Sequence, residues 1–308
     1  MKYTTQTSKL LVFLSVLFLF IKQSHAQVTP MGIAVSPPTF EVSSNPGDDI
    51  SNVIRVQNLS EEPMTVTSET RNFTALGDEG AVGLTDEETG FSLAKWVTVT
   101  PVTATIEPKQ SFTFAYTIEV PSNAEPGGHF GSVIFRTTAV SNNNTTGTSV
   151  AQEVGSLLLV KVSGDVREKL KFDSFVAKQS FYEYGPVDLE LKFTNTGNVH
   201  VKPTGSVIIT DIFGNKVTTI DVETKNVLPG ASRRMEAVWK SKLLLGKYTA
   251  VATLNYGADK ELLTSSTSFT VVPYKLVTGV VVVGSLALYI IFKMRKRLGK
   301  ALKVLFGK

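Results

Sequence analysis

The sequence predicts an all-β protein: two tandem immunoglobulin-like antiparallel β-sandwiches followed by one C-terminal transmembrane helix. Three observations predict it. Period-2 alternation of apolar and polar residues recurs throughout residues 27–274. Clusters rich in glycine, proline and asparagine cut those runs into short pieces. A single uncharged apolar stretch lies near the C-terminus, where a basic segment follows it.

At the N-terminus, Lys2 and Lys9 precede a 12-residue apolar run, 10–21, and small residues follow at Ser24 and Ala26. This order of charge, apolar core and small residues predicts a signal peptide over 1–26, cleaved between Ala26 and Gln27. The run is too short to cross a hydrocarbon core of about 30 Å.

The exterior reads as strands. "SFTFAYTIEV" (111–120) sets Phe112, Phe114, Tyr116, Ile118 and Val120 on one face, with Thr113, Ala115, Thr117 and Glu119 on the other. "PVDLELKFT" (186–194) alternates in the same way, with Val187, Leu189, Leu191 and Phe193 inward. Such patterns belong to strands buried on one face and wet on the other. Turn clusters such as "SNPGDD", "DIFGNK" and "VLPGAS" separate the runs. No helical pattern falls between 27 and 274. The break between the sandwiches is expected near "SGDVREKL" (163–170), giving a first sandwich over 27–165 and a second over 168–272.

The membrane span is expected over 276–292, with Leu276 and Phe292 as its ends and Lys275 and Lys293 outside them. Its 17 residues give about 25 Å of helix, at the low end for spanning. Of the 31 basic residues, three lie in the signal, one is Lys275 and seven follow Phe292, so residues 27–274 hold 20 against all 27 acids, a net charge of −7. The positive-inside rule therefore predicts a single-pass type I protein of the cell membrane. Residues 27–274 stand outside, and the basic tail, 293–308, lies in the cytoplasm. Leu298, Ala301, Leu302 and Leu305 recur at helical spacing in that tail, between lysines that suit an anionic leaflet. The basic charge belongs to the membrane ends, so a nucleic-acid-binding surface is not supported.

No catalytic constellation emerges. There are no cysteines, hence no disulfides and no thiolate chemistry. After signal removal only His129 and His200 remain, in different sandwiches and outside any metal-binding spacing. Serine-elbow, phosphate-loop and dinucleotide motifs are missing. The expectation is a protein that is not an enzyme and needs no cofactor or metal.

Four polar segments remain. In "TNTGNVHVKPTG" (194–205), Asn195, Asn198 and His200 sit among residues suited to a connection between two strands. "LGDEGAVGLTDEETG" (76–90) gathers Asp78, Glu79, Asp86, Glu87 and Glu88 without the spacing of a calcium loop, and reads as a long solvated loop. Sequons at Asn58, Asn72, Asn143 and Asn144 read as polar loops unless the host glycosylates them. "VPSNAEPGGHFGSVIF" (120–135) is expected to be a turn followed by a strand from Gly131 or Ser132. Its Gly128, His129 and Phe130 either point outward as a ligand contact or shape a turn with Phe130 in the core.

That last segment, following "VSPPTFEVSSNPGDDISNVIRVQNLSEEPMTV", resembles the extracellular WxL-interacting protein family of Gram-positive bacteria. The resemblance implies a signal peptide, two immunoglobulin-like domains, a membrane helix and a basic tail. It also implies that the first domain binds peptidoglycan and the second a partner protein. The first sandwich is also similar to periplasmic pilus chaperones, which implies a paired basic anchor for a subunit's C-terminus that the sequence does not identify. The expected function is thus a non-catalytic surface protein binding cell-wall polymer or another surface protein, with a membrane-tethered chaperone-like assembly factor as the alternative.

Overall fold

The computed structural model describes residues 32–137, 151–223, 225–241 and 244–306. The signal segment with Ala26 and Gln27, and the sequons Asn143 and Asn144, lie outside the described residues.

The first sandwich contains, in chain order, β1 (Ile33–Ser36), β2 (Thr39–Ser44), β3 (Asp49–Asn58), β4 (Met64–Leu76), β5 (Ala81–Thr85), β6 (Val97–Thr100), β7 (Thr103–Ile106), β8 (Ser111–Glu119), β9 (Gly127–Thr137) and β10 (Glu153–Val162). One sheet has the order β1-β3-β8-β6; the other is β2-β10-β9-β4-β5, with β7 beside β4. Phe114, Ile118, Ile54 and Phe135 meet between the sheets, as the alternation of β8 predicts. Pro37 and Pro38 offer no N–H to a ladder, and there the chain leaves one sheet for the other.

The second sandwich contains β11 (Leu170–Ala177), β12 (Phe181–Tyr182), β13 (Val187–Asn195), β14 (Thr204–Thr210), β15 (Lys216–Asp221), β16 (Ser232–Trp239), β17 (Gly246–Tyr256) and β18 (Glu261–Val271). Its sheets are β11-β13-β16 and β12-β18-β17-β14-β15. Val187, Leu189, Leu191 and Phe193 are fully buried along β13. At about 25 cal/mol per Å² of apolar surface, rows of this kind supply most of each sandwich's stability.

Among the described residues, pairing between strands is antiparallel except at one place in each sandwich. β2 runs parallel to β10, and β12 runs parallel to β18. In both, the opening segment pairs first in one sheet and then crosses to lie beside the last strand of the other. Residues 163–169 join the sandwiches. A helix, α1 (Tyr274–Phe306), follows β18 after two residues. It runs unbroken past Phe292, so the tail continues the helix instead of forming a separate one. Tyr274–Arg295 is long and apolar enough to cross a membrane, and its apolar stretch is not buried inside the protein.

Two expectations change. β9 begins at Gly127, four residues before the predicted start, so "GGHF" is strand and not turn. The acidic segment 76–90 is not a long loop: its middle forms β5, hairpinned onto β4.

Candidate functional site between the two sandwiches

The outward face of the β2-β10-β9-β4-β5 sheet is not left to water. Leu159 of β10 stands opposite Phe130 of β9, and the rings of Phe130 and Phe73 of β4 lie 5.9 Å apart. Leu84, Leu157 and, from the second sandwich, Leu228 complete this satellite cluster. The contiguous apolar run Leu157, Leu158, Leu159, Val160 is the local reason, since it buries both faces of β10.

Gly128, His129 and Phe130 are therefore not placed where a ligand would meet them. His129 and Phe130 are each 3% exposed. The His129 ring lies against Trp96, with centroids 4.3 Å apart and planes tilted by 41°, and its nitrogens face the carbonyls of Glu125 (2.9 Å) and Ser92 (3.2 Å). Gly128 N–H donates to the Asn198 carbonyl at 2.8 Å, across to the second sandwich. A Cβ on Gly127, whose φ is +131°, would lie 2.6 Å from that same oxygen. The glycine pair thus lets the 196–203 connection seat itself on β9.

Asn198 and His200 are the other half of this joint. The Asn198 amide donates to the carbonyls of Asp165 (2.8 Å) and Pro126 (3.2 Å) and accepts from Arg167 N–H (2.6 Å). His200 meets the Phe130 ring edge-on, with centroids 5.8 Å apart. Burial pushes the His200 imidazole below its ordinary pKa, and Glu41, 3.9 Å away, pulls the other way. The connection holds the two sandwiches together, and its two candidate side chains serve that role.

A second contact closes the far side. Asp78, at the tip of the β4–β5 hairpin, pairs with Lys192 of β13 (3.0 Å) and Arg234 of β16 (2.9 Å). Its carboxyl is held below the usual range, first by the Lys192 hydrogen bond, with burial opposing and Arg234 assisting. Asp86 pairs with Arg71 at 2.7 Å and Glu88 with Lys95 at 3.5 Å. Among the described residues no three metal-ligating side chains converge.

Between joint and clamp lies a cleft of about 320 Å³. Its floor is Phe73, Leu157 and Leu159; its roof is Leu228, Lys202, Lys225 and Arg233; Glu41 stands at one edge. Arg233 shares the register of Met235, Ala237 and Trp239 on β16 but, one residue in from the start of the strand, lines the cleft. There it lies over Gly80, where a Cβ would meet the guanidinium carbon at 1.9 Å. Arg233 Nη1 donates to the Asn226 carbonyl at 3.2 Å, while its Nε, like the Asn226 Oδ1, has no hydrogen-bond partner among the described residues. Burial pushes the Arg233 pKa down, with Glu223 opposing. A half-buried cation with no carboxylate partner among the described residues, over an apolar floor, suits an anionic group attached to an apolar chain. The sequence offered one signal for it: arginine at an inward position of a strand.

Asn58 and Asn72, read as sequons, are both buried. Asn72 Oδ1 accepts from Leu93 N–H (3.0 Å) and Ala94 N–H (2.8 Å), so its side chain is structural.

No family model matches the chain, and no curated protein does. Solved structures do match. A class 5 fimbriae chaperone, CfaA, is 14% identical over 78% of this chain and 99% of its own, with a TM-score of 0.42. The structure of the Salmonella enterica SafA pilin in complex with the SafB chaperone matches at 11% identity, over 77% of this chain and 97% of that one, with a TM-score of 0.40. The YadV chaperone is 15% identical over 78% and 100%, with a TM-score of 0.39.

Proposed function

We propose that this protein is a non-catalytic, membrane-tethered factor that holds an extended segment of another protein in the cleft between its sandwiches. The observation that carries this reading is Arg233. Its guanidinium is presented above the apolar floor of Phe73, Leu157 and Leu159 with no carboxylate partner among the described residues. An extended chain with apolar side chains and a carboxylate satisfies both walls, and Lys202 reinforces the preference for negative charge, whereas Lys225 is paired with Glu223 at 3.0 Å. From the resemblance to WxL-interacting proteins we carry forward the order of parts and not the wall ligand, because the residues expected to touch a glycan are buried. The apolar helix serves as the tether, with the sandwiches outside the cell.

The test is binding of the full chain in detergent to an alternating valine–threonine octapeptide with a free C-terminal carboxylate, against its amidated twin. The free acid binds more tightly, and R233A weakens it about 10- to 100-fold, the ~1.5–3 kcal/mol of a hydrogen bond to a charged group. Equal binding of the two peptides, untouched by R233A, overturns the reading. Pelleting with purified peptidoglycan instead would restore the wall ligand.

A further inference from the structure

The register of the second sandwich gathers four chain segments at one end. Thr210 of β14 lies opposite Thr249 of β17, so the 211–215 turn extends toward the level of Gly246. Gly246 lies opposite Val271 of β18, and Tyr182 of β12 is beside Val271 as well. Val187 of β13 lies opposite Trp239 of β16, which brings residues 183–186, 240–241 and 244–245 to the same end. α1 leaves from this end. Its root is fixed there by Lys275 on Glu183 (2.8 Å) and by the Tyr274 ring beside Phe181 (6.4 Å between centroids).

This end is apolar at its tips. Phe213 is 81% exposed, Ile212 65% and Leu245 67%. The Ile212–Phe213 pair is not loose chain. Asp211 Oδ1 accepts from the N–H groups of Phe213 and Asn215, both at 2.9 Å, and Oδ2 accepts from the Asn215 amide at 3.1 Å. Gly214, at φ +82°, completes the turn. A turn built from within by polar groups thus pushes two large apolar side chains outward, where water disfavours both. β14 and β18 are separated only by β17, so the turn stands about 10 Å from the helix root, at two strand spacings of roughly 4.8 Å.

We propose that this end is a foot seated in the bilayer: Ile212, Phe213 and Leu245 enter the headgroup–acyl boundary of the leaflet that α1 enters. The inference rests on α1 being the tether. Two residues between β18 and α1 leave the sandwich no room to stand off the surface. Aromatic and aliphatic tips belong at that boundary, and Lys216, Lys240 and Lys247 at the same end complement lipid phosphates. With three points beside the helix root, the sandwich is held at a fixed attitude, which presents the cleft at a set height above the membrane.

The chain has no cysteine, so single-cysteine variants carry a unique label. Full-length F213C, V283C and V102C would each be labelled with an environment-sensitive fluorophore and reconstituted into phosphatidylcholine–phosphatidylglycerol vesicles. Val283 reports the middle of α1, and Val102, exposed on the first sandwich, reports water. The expected result is protection from aqueous iodide at Phe213 of about threefold or more relative to Val102, with quenching there by a shallow lipid-borne nitroxide. If Val283 is in lipid while Phe213 is quenched by iodide as Val102 is, the foot is overturned and the tether stands. If Val283 is in water, both fall.

Discussion

Asn58 ends β3 with its amide donating to the carbonyls of Glu62 (2.7 Å) and Ile106 (2.9 Å), while its oxygen accepts from Ser60 N–H (2.8 Å). Asn195 ends β13 and does the same with Val199 (2.7 Å), Val227 (2.8 Å) and Gly197 N–H (2.9 Å). Both side chains are fully buried. These equivalent corners tie a strand end to the turn after it and to a distant strand or bridge, and no other side chain offers that combination of two donors and an acceptor at that length. N195A leaves the Val199 carbonyl and the Gly197 N–H without partners among the described residues, and leaves the Val227 carbonyl with one donor, Val201 N–H. The expected cost is about 3 kcal/mol, read as a fall in melting temperature on the order of 10 °C or more for that sandwich. N58A has the same effect on the first sandwich. A variant whose melting temperature is unchanged would show that water reaches these corners. Asn195 was legible as a turn residue from its neighbours. Its bond to Val227, 32 residues away, was not, because nothing local encodes it.

At the scale of elements, alternation revealed which residues face the cores, because β8 and β13 each bury one face and wet the other. It was less informative where an element meets the other sandwich. β9 looked like a turn because glycines weaken a strand in isolation, and here the second sandwich needs the space they leave. The β4–β5 hairpin looked like solvated acid because its cations, Lys192 and Arg234, lie more than a hundred residues on. Two signals were present: four consecutive apolar residues in β10, and Arg233 on an inward register. The hairpin's role is testable with spin labels on V102C and L262C, one on each sandwich. D78N keeps the shape of the tip and removes its charge, so the inter-sandwich distance distribution broadens. K192A broadens it as well, and the double variant broadens it by less than the two effects added, since both act through one clamp. Full additivity would mean that the hairpin tip and β13 contribute independently.

For the molecule as a whole, the joint and the clamp respond to acid in sequence. The buried His200 favours its neutral form in the joint. Burial is the main cause, Lys161 and Lys202 reinforce it, and Glu41 and Glu168 oppose it. A histidine with a depressed pKa gives its full contribution above the ordinary value of 6.5, and that contribution is lost as pH falls through the lower value of the joined state. Asp78 has the sign of a paired carboxylate. Its contribution is present above the ordinary 3.8 and is lost as pH falls through its own lower value. The label distance should therefore broaden in two steps between pH 8 and pH 3, the joint loosening first and the clamp last. H200Q should abolish the upper step and spare the lower one, while D78N does the reverse. Were the upper step to survive H200Q, the joint would owe its acid sensitivity to another group, and His200 would be a packing residue only. The order matters for the cleft, because the joint and the clamp form its two ends. Acid that frees the joint while the clamp holds would open the cleft from one side, releasing a bound segment before the sandwiches part.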